Sequence, residues 1–207
     1  MSEILGRFAW YELLTTDTAS AEAFYTDVVG YTTQQWGEGA KPYTMWMADE
    51  TAIGGLKTLP DEAKAMGAPP HWLAYVATPD IKDTVEKAEG LGAKVLMPVM
   101  AIPDVGHVAI FADPQGAVLG LLQPESDMPR CASPKEPGVI SWNELMAGDP
   151  NAGWEFYKEL FGWEKTSEMD MGQPYGKYLM YGQGEKTYGG FMNIPEGCKG
   201  PASWVYY

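Results

Sequence analysis

The chain has 207 residues, 45% of them hydrophobic and 20% charged, and a formal net charge of −14. This is the composition of a soluble globular protein with apolar mass for one large domain or two small ones. The acidic balance excludes the basic footprint that nucleic acid or an anionic membrane surface requires.

The first elements follow in order. Residues 8–15 alternate and carry aromatic and branched side chains, so they predict a strand. Asp17 is a helix N-cap, Ala21, Phe24, Tyr25 and Val28 share one helical face, and Gly30 is the left-handed C-cap. The Phe24-Tyr25 pair is expected to point into the core. Residues 31–36, 43–48 and 52–56 predict three more strands, giving β-α-β-β-β. A Pro- and Ala-rich connector spans 60–70. The order then repeats: a strand at 71–77, a helix capped by Asp80 and ended by Gly92, strands at 94–97 and 99–102, then strands at 106–112 and 117–123. The turn Asp113-Pro114-Gln115-Gly116 joins the last two.

Residues 125–137 have no periodicity and three prolines, and predict a linker. A third unit occupies 138–195. Trp10, Glu12, Leu13, Asp17, Phe24, Tyr25 and Gly30 return as Trp142, Glu144, Leu145, Asp149, Phe156, Tyr157 and Gly162, each 132 positions on. Such a repeat fixes the architecture before any other inference. Trp204–Tyr207 repeats Trp72–Tyr75 at the same spacing and would open a fourth unit. The predicted fold class is α+β, with a complete domain over 1–124 (units 8–59 and 71–124) and a half domain over 138–207. No apolar run approaches the roughly 18 residues of a membrane span. No basic-plus-apolar leader is visible. Cys131 and Cys198 lack metal-like spacing and read as unpaired thiols of a cytoplasmic protein.

The pattern W-x-E-L-x-x-x-D with its Phe-Tyr helix, the Gly-Gly strand and the run 106–124 resembles the vicinal oxygen chelate superfamily. That family includes glyoxalase I, extradiol dioxygenases and bleomycin-resistance proteins; the likeness is to its tandem glyoxalase-like members. The resemblance implies that paired units curl into a cup, where metalloenzymes of the family hold a divalent ion with His, Gln or Glu on first and last strands. Transferred to this chain, those positions fall on Trp10, Leu73 and Trp142, on Gly120, and on the Gly54-Gly55 pair. None offers imidazole or carboxylate. The expectation is therefore no metal and no cofactor. His71, His107 and Glu12 have the chemistry for a rebuilt site, but nothing in their spacing brings them together.

Strand alternation puts Phe8, Trp10 and Glu12 on the cup side, and Trp142 and Glu144 likewise in the third unit. Trp46, Trp36 and Tyr43 lie on neighbouring strands. The candidate ligand-binding residues are Phe8, Trp10, Glu12, Trp46, His107, Trp142 and Glu144. The favoured reading is a pocket for a small aromatic or amphipathic molecule. Two others stand beside it: an enzyme, using relocated metal ligands or Glu12 or Glu144 as a base, and a structural protein whose cup is plugged. A lone third unit would expose Trp142, Tyr178, Tyr181 and Trp204, so a naturally short chain is expected to form a homodimer there. The alternative is a fragment of a longer tandem protein.

Overall fold

The structure, a computed structural model, describes residues 4–37, 43–126 and 137–207. Most of the expected linker, and Cys131, lie outside the described residues; Cys198 is exposed.

Three β-α-β-β-β modules follow one another. The first is β1 (Phe8–Thr15), α1 (Thr18–Val29), β2 (Thr32–Trp36), β3 (Tyr43–Ala48) and β4 (Thr51–Thr58). A short helix, α2 (Asp61–Ala65), lies in the connector where the sequence predicts none. The second module is β5 (His71–Ala77), α3 (Ile81–Gly90), β6 (Lys94–Ile102), β7 (Gly106–Ala112) and β8 (Val118–Pro124). The third is β9 (Asn143–Ala147), α4 (Pro150–Phe161), β10 (Glu164–Asp170), β11 (Lys177–Gln183) and β12 (Lys186–Asn193), followed by β13 (Ser203–Tyr206).

The helix starts have one local cause. Asp17 accepts from Ser20 N–H, Asp80 from Lys82 and Asp83, and Asp149 from Asn151 and Ala152, each satisfying first-turn amides that have no partner within the helix. Gly30 and Gly162 close α1 and α4 at φ 82° and 71°. β6 is one strand through Pro98 where the sequence suggests two. It sits at the outer edge of its strand run with two register shifts, so the missing amide costs no ladder bond.

The chain forms two compact units. One comprises Trp10–Ala74 and Pro129–Ile140; the other Met1–Ala9, Tyr75–Met128 and Ser141–Tyr207. In the first, the strands run β2-β3-β4-β1, with β1 and β4 parallel. Its core joins Leu13, Tyr31, Trp46 and Leu56 to Ala21 and Tyr25 of α1 and to Trp72. Trp46 is therefore a core residue on the helix side, not part of an open wall. Its indole N–H has no hydrogen-bond partner among the described residues and sits among the rings of Tyr25, Tyr31 and Trp72.

The second unit holds the runs β5-β8-β7-β6 and β10-β11-β12-β9-β13. Its core is aromatic: Tyr157, Phe161, Trp163, Tyr181, Phe191 and Trp204 interlock, with Trp163 and Tyr181 centroids 4.5 Å apart. Phe8 stacks on Trp163 at 5.7 Å, and Trp163 Nε1–H donates to Gly6 O at 2.8 Å. Phe8 belongs to this core. So do Tyr181 and Trp204, which the sequence placed on an exposed face.

The third module binds to the second through α4. Phe156 packs on Phe111 at 6.1 Å. Trp204 Nε1–H donates to Tyr157 Oη at 3.1 Å, and Tyr157 O–H donates to Asp113 Oδ2 at 3.1 Å. Asp113 also caps its own turn by accepting from Gln115 and Ala117 N–H. Gln115 clamps the start of α4, donating to Asp149 O at 2.9 Å and accepting from Asp149 N–H at 2.7 Å. The repeat counterparts on α1 behave otherwise. Phe24 and Val28 are 56% and 65% exposed, whereas Phe156 and Leu160 are 6% and 2% exposed. The expectation that Phe24 is a core residue fails because nothing described covers that side of α1; Tyr25 alone of the pair reaches the core.

Tyr157→Phe strands a buried indole donor and removes one donor from a buried carboxylate. The expected cost is about 1–3 kcal/mol, read as a lower urea midpoint at unchanged m-value.

Candidate functional site

Side chains alternate across β1, so with Leu13 facing α1, Trp10 and Glu12 face the opposite side of the sheet. There they meet Tyr43 from β3. Trp10 Nε1–H donates to Tyr43 Oη at 2.9 Å, and Tyr43 O–H donates to Glu12 Oε1 at 2.9 Å. Glu12 is 7% exposed, while Trp10 and Tyr43 are half-buried.

The third module builds the same relay. Trp142 Nε1–H donates to Tyr178 Oη at 2.6 Å, and Tyr178 O–H donates to Glu144 Oε2 at 2.7 Å. Tyr207 O–H donates to the other oxygen, Oε1, at 3.2 Å. Glu144 is 7% exposed. Both carboxylates thus exchange water for phenol donors, as a buried charge requires.

A glycine makes room for each phenol. A Cβ at Gly55 would lie 1.7 Å from Tyr43 Oη, and one at Gly190 would lie 2.2 Å from the Tyr178 ring. In the second module a Cβ at Gly120 would lie 2.3 Å from the Tyr75 ring. On the last strand of every module, then, a tyrosine ring fills the volume that a longer side chain would occupy.

Burial pushes the Tyr43 and Tyr178 hydroxyls well above the usual phenol range, and the neighbouring Glu12 and Glu144 carboxylates add to this. Both stay protonated at neutral pH. They serve as hydrogen-bond donors and not as bases. What the arrangement can do chemically is present two aromatic surfaces around a carboxylate whose orientation is fixed.

The structure brings together Trp10 with Glu12, and Trp142 with Glu144. It places Trp46 and Phe8 in cores. His107 is exposed on β7, opposite Ala101 and Gln123. His71 contacts Pro69 O through Nδ1 at 2.7 Å. The residues that sequence reasoning missed as relay members are Tyr43, Tyr178 and Tyr207. A signal existed: Tyr43 to Tyr178 and Gly55 to Gly190 both span 135 positions, the repeat resumed after a three-residue lengthening.

Residues 7–121 match the Glyoxalase/Bleomycin resistance protein/Dioxygenase superfamily, and the chain belongs to that family. It is 32% identical over 194 residues to "Putative glyoxylase CFP32" of Mycobacterium bovis and Mycobacterium tuberculosis, covering 90% of this chain and 70% of theirs. It is 27% identical over 168 residues to the anthracycline biosynthesis protein DauV of a Streptomyces species, covering 76% of this chain and 61% of that protein. Among solved structures, an extradiol ring-cleaving dioxygenase from B.fuscum shares the fold at TM-score 0.64 and 15% identity, over 91% of this chain and 54% of the other. The Mn(II)-bound glyoxalase from Novosphingobium aromaticivorans does so at TM-score 0.59 and 18% identity, over 93% and 62%. The chain thus spans little more than half the dioxygenase.

The positions at which the resemblance places the family's metal ligands carry Trp10, Leu73, Trp142, Gly120 and the Gly54-Gly55 pair. Indole, isobutyl and hydrogen supply no donor to a divalent ion. Among the described residues no three His, Cys, Asp or Glu side chains come close enough to hold a metal. On their chemistry these residues do not fit a divalent ion. Among the described residues no helix is long and apolar enough to cross a membrane.

Tyr43→Phe is expected to lower stability by about 1–3 kcal/mol, because Glu12 loses a donor and Trp10 an acceptor. In the wild type, both raised phenols make the folded state the tighter proton binder above the unfolded value near 10. Their contribution is complete below pH 10 and is lost as pH rises past it. Urea midpoints taken from pH 8 to 11 should fall more steeply for wild type than for a Tyr43→Phe, Tyr178→Phe double variant.

Proposed function

We propose that the chain is a metal-free member of the superfamily that binds a small, flat aromatic or amphipathic molecule at the Trp10–Tyr43–Glu12 surface. One observation carries the reading: the half-buried indole and phenol are held by a hydrogen-bonded relay that ends on a carboxylate. Such a surface stacks a ring beside a carboxylate held in fixed orientation. The relay spares the ligand the entropy of ordering these side chains. The likeness to a protein named for anthracycline biosynthesis is in keeping with such a ligand. The family metal ligands are, on this reading, replaced by tyrosines seated over glycines.

A second reading has its own support. Glu144 has both oxygens engaged by phenols, so the third module's relay satisfies itself and acts as a structural plug. We assign that role to the third module, where Tyr178 is buried, and the binding role to the first, where Tyr43 is half-buried.

Tryptophan fluorescence titrated with planar fused-ring quinones tests this. Saturable quenching is expected for wild type, with affinity reduced about 10-fold or more in Trp10→Leu. It should stay near wild type in Trp142→Leu. No saturable response from any compound would overturn the reading. Metal analysis of dialysed protein should give far less than one zinc, manganese, iron or nickel per chain; a stoichiometric metal would refute the metal-free assignment.

A further inference from the structure

Strand pairing fixes what else shares the face of Trp10 and Glu12. Glu12 pairs with Gly55 and Leu14 with Lys57, so Gly55 and Lys57 lie on the Glu12 side of the sheet. Thr44 pairs with Leu56, a core residue on the α1 side, which puts Lys57 opposite Tyr43 at the next position. Trp36 pairs with Tyr43 from β2. Lys57, Tyr43 and Trp36 thus sit side by side on three neighbouring strands, with Tyr43 in the middle. Trp36 is 40% exposed, and Lys57 is exposed.

Glu12 and Lys57 are the only charged side chains that the described residues of β1–β4 place on this face. They differ in kind. Glu12 is 7% exposed and accepts from the Tyr43 hydroxyl. Lys57 makes no ion pair or side-chain hydrogen bond among the described residues. The repeat sharpens the contrast. Lys57 and Met192 are 135 positions apart, as Tyr43 and Tyr178 are, and their strand partners Leu14 and Met146 are related by the 132-residue repeat. Met192 is 8% exposed. The module whose relay satisfies itself carries a buried thioether where the first module carries a solvated ammonium.

We propose that the first module takes an aromatic acid, its planar ring stacked at Tyr43 and its carboxylate paired with the Lys57 ammonium. This ligand class rests on the Trp10–Tyr43–Glu12 binding surface proposed above and adds the charge of what that surface takes. Lys57 stands two residues along β4 from Gly55, about 7 Å beyond the row that holds Glu12. An acid group at the edge of the ring meets the ammonium there, while the buried Glu12 stays behind its phenol. A neutral ring leaves Lys57 to water, and a cationic one is repelled by it. The pair is exposed, so the selectivity it gives is modest.

Tryptophan fluorescence titrated with anthraquinone-2-carboxylate and with its uncharged carboxamide tests this. At low ionic strength the ratio of the two affinities should shift about 3-fold against the carboxylate from wild type to Lys57→Gln. The same shift is expected in Lys57→Met, which installs the third module's residue, whereas Lys57→Arg should keep the wild-type ratio. In about 1 M salt, where screening acts within roughly 3 Å, the shift should vanish. Saturable carboxamide binding that depends on Trp10, with a ratio unmoved by Lys57→Gln and Lys57→Met, overturns the aromatic-acid inference and leaves the binding surface standing. No saturable quenching by either compound refutes both.

Discussion

Burying a carboxylate is unfavourable unless donors replace its water. In this chain the donor is repeatedly a tyrosine that accepts from an indole. Trp10, Tyr43 and Glu12 form one such chain of hydrogen bonds, Trp142, Tyr178 and Glu144 a second, and Trp204, Tyr157 and Asp113 a third. In each, the phenol oxygen uses its acceptor and its donor at once, so no member can be removed without stranding another. The first two relays shape a sheet face. The third joins helix, strand and turn of successive modules.

On the proposed reading, the same chemistry separates this chain from the metal-binding members of its superfamily. A curled sheet of this kind has an inner face that must be filled. Elsewhere in the family an ion and its ligands can do so. Here Gly55 and Gly190 let tyrosine rings lie over the sheet, and the carboxylates they contact are held rigidly by neutral donors. On the proposed reading, the resulting surface is suited to stacking a ring.

Much of the fold was legible. The Asp caps, the closing glycines and the 132-residue repeat predict three modules and their element order, and alternation from Trp10 predicts the facing of Glu12 and Leu13. What was not legible shares one cause. Periodicity within an element says which residues lie together, not what another element lays over them. Phe24 and Phe156 hold the same place in the Phe-Tyr repeat, and Phe111 and Asp113 meet α4 where nothing described meets α1. Trp46 alternates as a wall residue could, but it follows Leu13 and Leu56 to the helix side. Phe8 shares the parity of Trp10 but is recruited by Trp163. The tyrosines of the relays escaped because the repeat changes spacing between Gly30 and Tyr43, and a comparison held at 132 loses them.

That change in spacing has a consequence of its own. The three added residues of the third module fall between Gly162 and Tyr178, a stretch that includes the hairpin tip at 171–176 joining β10 to β11, yet the triad behind it keeps its bonding pattern. Hairpin length and floor chemistry are therefore separable variables. Longer tips could be grafted there while the hydrogen-bonded trio is left untouched.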